Sequence, residues 1–165
     1  MPENKPIKAA LTVKARRLLL IREFWSIVLP LVATPHPRWA GASTSASYWI
    51  GASSYFRGLR YDLTVRGHNA GCMLYIDASI GKHARNKAVF DALDAKRADI
   101  EAALGDRLVW YRLNDKNCAA VASIAAKPGF KSPREQWPEI ANKLIDQVRR
   151  FPAALQPHLE EAADV

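Results

Sequence analysis

The chain has little that reacts. Its two cysteines, Cys72 and Cys118, lie in apolar company with no Cys-x-x-Cys spacing, which argues against a redox pair or a thiolate zinc site and for reduced thiols inside a core. Four histidines, His36, His68, His83 and His158, are scattered, and none pairs with cysteine or another histidine at a ligand-like interval, so no metal site is expected. The serines of the 43–54 stretch have no acid–histidine partner in a recognisable order, which leaves a hydrolase triad without support. Long apolar runs are missing too. Leu18-Leu19-Leu20-Ile21 follows Arg16-Arg17 as a signal-peptide core would, but Arg22 and Glu23 interrupt it before Ile27, too early for a membrane span. A cytoplasmic protein with no membrane association is the expectation. Acidic residues are the scarce charge: 16 Asp and Glu stand against 24 Lys and Arg, a net charge of +8. The surplus sits in residues 1–38 (+5) and 106–131 (+3), while 132–165 carry −2. Such a surplus favours contact with nucleic-acid phosphates and serves solubility equally well.

What is present is a change of hydrophobic period. Leu74-Tyr75-Ile76-Asp77 and Leu108-Val109-Trp110-Tyr111-Arg112-Leu113 alternate, and between them Val89, Leu93, Ile100 and Leu104 recur at helical spacing. That pattern predicts strand, central helix over about 82–104, strand, with Gly105 as a left-handed helix cap and Arg97–Glu101 as an exposed ion pair. Upstream, Leu18, Ile21, Trp25, Val28 and Val32 predict a buried helix over about 11–32, kinked at Pro30 and ended by Pro35 and Pro37. A Ser/Ala/Gly loop over 38–54 holds Trp39 and Trp49. A hairpin follows, with Leu59, Tyr61, Leu63 and Val65 on the inner face of its first strand and Arg60, Asp62, Thr64 and Arg66 on the wet one. A strand over 118–126 closes the sheet. Ser132, Pro133 and Glu135 form a capping-box signature for the last helix, with Pro138 bending or restarting it and Pro152 ending or kinking it. The fold class is therefore α+β: a mostly antiparallel sheet of about five strands with an N-terminal, a central and a C-terminal helix packed on it. Residues 1–10 read as a flexible N-terminus, 11–155 as one domain and 156–165 as a loose acidic tail.

Several segments together resemble a known bacterial and archaeal family, domain of unknown function 4268: Glu23-Phe24-Trp25, Tyr48-Trp49-Ile50, the Leu74–Asp77 strand, Asn86-Lys87-Ala88-Val89-Phe90-Asp91, the Leu108–Leu113 strand, Gln136-Trp137-Pro138-Glu139-Ile140 and Gln156-Pro157-His158-Leu159. The resemblance runs from about Arg22 to Leu159. It implies a domain that occurs alone or attached to nuclease-like domains, often in restriction contexts, and no established reaction. The chain departs from the family pattern where Met73 and Val109 stand in place of glutamates, and where Asn117 and Ala120 stand in place of basic residues.

Three functional expectations follow. The first is a non-catalytic accessory domain that associates with nucleic acid or with a nucleic-acid-processing partner of the restriction or defence type. Arg57, Arg60, Arg66, Lys82, Arg85, Lys87, Arg112 and Lys116 would form a continuous positive face, because phosphate binding needs clustered cations. The second is a degenerate or divergent restriction-endonuclease-like nuclease, in which Asp62 and Asp77 hold Mg²⁺ and Lys82 assists the attacking water; no Asp/Glu-x-Lys triplet lies on a strand to support it. The third is a protein-interaction or homodimerisation module anchored by Trp39 and Trp49.

Overall fold

The computed structural model describes residues 11–78 and 81–164, so the N-terminal segment expected to be flexible lies outside the described residues. Helix α1 (Val13–Ala33) begins where the Thr12 hydroxyl accepts a hydrogen bond from the Ala15 amide and continues through Pro30. Strands β1 (Trp49–Ser53), β2 (Leu59–Val65) and β3 (Ala70–Ile76) form the meander, helices α2 (His83–Asp94) and α3 (Arg97–Leu104) follow, and then β4 (Val109–Tyr111), β5 (Ala119–Ala126) and α4 (Trp137–Ala163). All pairings are antiparallel, in the order β1-β2-β3-β5-β4. The α+β architecture matches the expectation. α2 and α4 lie against the sheet, and α1 and α3 pack on α4.

The core forms between one sheet face and these helices. Leu63, Leu74 and Val121, from three neighbouring strands, are fully buried together with Phe24, Trp25, Val89, Trp137, Leu144 and Phe151. Phe24 meets Trp25 and Trp137 edge-to-face, at 5.2 and 5.3 Å between ring centroids. The Ser/Ala loop is tied to this core by the Trp25 indole, whose Nε1 donates to the Ser47 carbonyl at 2.9 Å. No described helix is long and apolar enough to cross a membrane.

Several local expectations change. The central helix breaks at Ala95-Lys96, and Arg97 pairs back to Asp94 across the break instead of forward to Glu101. Glu101 is engaged elsewhere: its carboxylate accepts from the Leu108 amide (3.0 Å) and the Trp110 indole (3.1 Å), joining α3 to the start of β4. Ser132 does not cap the last helix; its hydroxyl donates to the Gly129 carbonyl, and a single 3-10 turn at Arg134–Gln136 leads in. Pro138 then sits in the first turn of α4, where its missing N–H breaks no bond. Finally, α4 runs on through Pro152 and Pro157 to Ala163, so residues 156–163 are helix and not a loose tail. Each interior proline costs about 3 kcal/mol. Phe151, Leu155, Leu159 and Ala162 remain buried along one stripe, and the larger three contribute roughly 1.5–3 kcal/mol each, which offsets that cost.

The Glu101 contacts carry a pH dependence. Its amide and indole donors hold its carboxyl below the ordinary value of 4.5. A depressed folded pKa means that the stabilisation is present above the unfolded value and is lost as pH falls through the folded one. Thermal melts of the native chain and Glu101→Gln should therefore differ at neutral pH and converge below pH 4.5. A constant difference down to acid pH would show that ionisation is not the source.

Candidate functional site

The eight cations expected on one face do not share one environment. Lys87 is only 4% exposed, and its ammonium donates to the carbonyls of Arg112 (2.6 Å), Leu113 (2.8 Å) and Cys118 (2.6 Å). Burial depresses its pKa. It fastens the β4–β5 connection to α2 and presents nothing to solvent. Neighbouring Asn86, fully buried, does the same work: its amide oxygen accepts from Ala78 and its amide nitrogen donates to the Asn117 carbonyl, both at 2.9 Å. Arg60 and Arg112 are neutralised by carboxylates. Arg112 grips Asp91 through two hydrogen bonds, of 2.7 and 2.9 Å. Arg66 and Lys116 are exposed at opposite ends of the sheet, Arg66 with its guanidinium 4.9 Å from the Tyr48 ring. The continuous positive face is thus not formed, because the helix start and the β4–β5 turn fold onto each other instead of lying side by side.

Arg57, Lys82 and Arg85 do converge. They line a cleft of about 220 Å³ with Ala78. Lys82 is the residue before the first turn of α2, and Arg85 lies within that turn. Arg85 reaches across to the carbonyls of Arg57 and Ala163, each at 3.4 Å. Among the described residues no carboxylate lines the cleft and none of the three cations has an ion-pair partner. Free N–H groups at a helix start and three unneutralised cations together favour an anion.

The Mg²⁺ trio is not assembled. Asp62 lies mid-strand opposite Met73, four residues before Asp77, so about 13 Å of strand separates them at roughly 3.3 Å per residue. Two ligands of one Mg²⁺ each lie about 2.1 Å from the ion. Asp62 is also not the solvated residue its position in the alternation suggests. It is fully buried, gripped by Arg60 from Nε at 2.6 Å and Nη2 at 3.2 Å. Burial raises its pKa while Arg60 opposes the rise. Asp77 accepts from the Asn117 amide at 2.9 Å, and Lys82 belongs to the cationic cleft. Among the described residues, no three His, Cys, Asp or Glu side chains come together as a metal site.

Of the two partner-binding tryptophans, Trp39 is 2% exposed and belongs to the core, since the 3-10 turn at Pro37–Trp39 folds it inward. Trp49 is 46% exposed on the sheet face that no described element covers. Cross-strand register places Gly51, Asp62, Met73, Ala122 and Val109 in one row on that face, with Ser53, Arg60, Tyr75, Ala120 and Tyr111 in the next. Met73 and Val109, the two positions where the family resemblance leads one to expect glutamate, therefore stand in the row of Asp62. In this chain that row is apolar apart from Asp62, whose buried carboxylate is held by the partly exposed Arg60 of the next row.

A family model described as Domain of unknown function (DUF4268) matches residues 20–159. No curated protein and no solved structure matches the chain.

Proposed function

We propose, from the premise that the chain belongs to the DUF4268 family, that it is a non-catalytic accessory domain that associates with nucleic acid, alone or beside a nucleic-acid-processing protein. The observation that carries this reading is the cleft of Arg57, Lys82 and Arg85, three cations lining one volume with no carboxylate among its described lining residues. A phosphodiester meets such a cleft with charge complementarity and displaces its own counterions on binding. The surplus charge of the chain adds long-range attraction.

The test is affinity for a DNA duplex as a function of salt. Each phosphate contact contributes about 0.9 to the slope of log affinity against log salt, so replacing Arg57, Lys82 and Arg85 by Gln should flatten that slope by almost 3 and weaken binding throughout. Affinity that does not change between about 50 mM and about 200 mM salt removes the phosphate contact altogether.

A further inference from the structure

The helix-free face of the sheet has the chemistry of a base-stacking surface. Its aromatic residues come from three strands: Trp49 on β1, Tyr75 on β3 and Tyr111 on β4. Trp49 and Tyr111 are 46% and 44% exposed. Some of the positions between them are small. Ala120 separates Tyr75 from Tyr111 in one row, and Gly51 and Ala122 lie in the row beside it. The absence of a side chain at Gly51 has a specific purpose, because a Cβ there would come within 2.7 Å of Arg60 Cδ and 3.0 Å of Asp62 Oδ1. That space is taken by the Arg60 side chain, whose guanidinium lies 4.4 Å from the Trp49 ring and 4.5 Å from the Tyr75 ring. The result is a continuous run of indole, guanidinium and phenol, in which the guanidinium contacts both rings and is held by the buried Asp62 carboxylate. Beside it a depression of about 320 Å³ opens over Gly71, Met73 and Ala122, walled by Tyr111 and Ile124 and bordered by Arg66.

Charge identifies the occupant. Asp62 is the only carboxylate in the register rows of this face, and Arg60 already neutralises it. Arg66 at the end of β2, with Lys131 beside Gly67, leaves the rim positive. The Arg57–Lys82–Arg85 cleft lies past the other end of the same strands, beyond the Leu59–Ile76 pair. A second copy of the chain would bring like charge to like charge. A polyanion with flat, accessible rings fits both the positive rim and the ring tier. A duplex hides the faces of its bases, and a single strand offers them.

We propose that this face is a stacking platform for single-stranded nucleic acid, with bases on Trp49, Tyr75 and Tyr111 and the backbone drawn along Arg66 and the cationic cleft. The proposal rests on the nucleic-acid reading above and adds strand type and location to it.

The experiment compares a labelled oligothymidylate with a duplex of the same length on the full chain, by anisotropy and by quenching of intrinsic tryptophan fluorescence. The single strand should bind more tightly and quench the exposed Trp49. Tyr111→Ala should weaken single-strand binding roughly 5- to 100-fold, the range for losing one base–aromatic stack, and leave duplex binding unchanged. Tyr111→Phe should keep the affinity. Tyr111 is an exposed edge-strand residue, and melting curves verify folding; Ile124→Glu, also exposed, gives the same loss by adding a negative charge to the face. Equal affinity for both nucleic acids, with no effect of Tyr111→Ala, overturns the stacking platform and leaves the cleft intact. No binding of either overturns both readings. A concentration-dependent dimer abolished by Tyr111→Ala assigns the face to self-association and overturns the platform.

Discussion

Lys87→Met should lower the unfolding free energy by about 3–5 kcal/mol, a large share of the roughly 5–15 kcal/mol that a domain of this kind possesses. The stem of methionine occupies nearly the same volume, so the loss comes from the ammonium. Its removal leaves the carbonyls of Arg112, Leu113 and Cys118 without that donor in a part-buried site. Each such group costs about 1–3 kcal/mol, with partial relief as the loop relaxes toward water. The loop has one further reason to depend on Lys87. Leu113 sits at φ 53, in the left-handed region that side-chain-bearing residues avoid, and its carbonyl is one of the three being held. Lys87→Arg should not restore stability, because a planar fork cannot direct its donors to three carbonyls around one point. Urea denaturation midpoints check the magnitude. A loss under about 1 kcal/mol would mean that water already satisfies those carbonyls.

Gly71→Ala should disrupt the sheet at its centre, with a cost of about 3 kcal/mol or more and a sharp fall in soluble yield. An added Cβ would sit 1.9 Å from the Ser123 carbonyl oxygen and 3.0 Å from its carbon. Those are main-chain atoms of the partner strand and cannot rotate away. The pairing register shifts between Ala70 and Gly71, so the irregularity falls where the side chain is missing. Gly51→Ala offers the control. There the nearest atom is Arg60 Cδ at 2.7 Å, in a side chain that can swing outward. A smaller loss is expected, traceable to a loosened Arg60–Asp62 pair. Thermal unfolding of the two variants side by side separates a main-chain clash from a side-chain one; equal losses would refute the distinction.

The strands were legible because alternation is a local property. Leu59, Tyr61, Leu63 and Val65 announce their buried face without knowledge of anything else in the chain. The Gly105 cap was legible for the same reason: φ 77 suits glycine wherever the helix happens to lie. Several failures concern polar residues whose environment comes from distant segments. Nothing near Asp62 in sequence reveals that Gly51, from another strand, leaves the space in which Arg60 closes over it. Nothing near Lys87 reveals that the 112–118 loop will cover it, and a lysine in a helix's first turns reads as wet by default. The adjacent Asn86-Lys87 pair was the available signal, two polar residues set against the inward-facing Val89 and Phe90. The break at Ala95-Lys96 has no proline or glycine to mark it. Conversely, Pro152 and Pro157 mark breaks in α4 that burial overrides.

The position of α4 as the last described element has a consequence for how the protein is made. At about 5–20 residues per second, a ribosome finishes all five strands seconds before it finishes the helix that covers them. During that interval Leu63, Leu74 and Val121 stand at the surface of a nascent chain, and the hydrophobic side of the sheet is open to any passing partner. Codon choice and chaperone supply around residues 137–163 should therefore govern yield more strongly than those around the meander, although the meander contains most of the sheet.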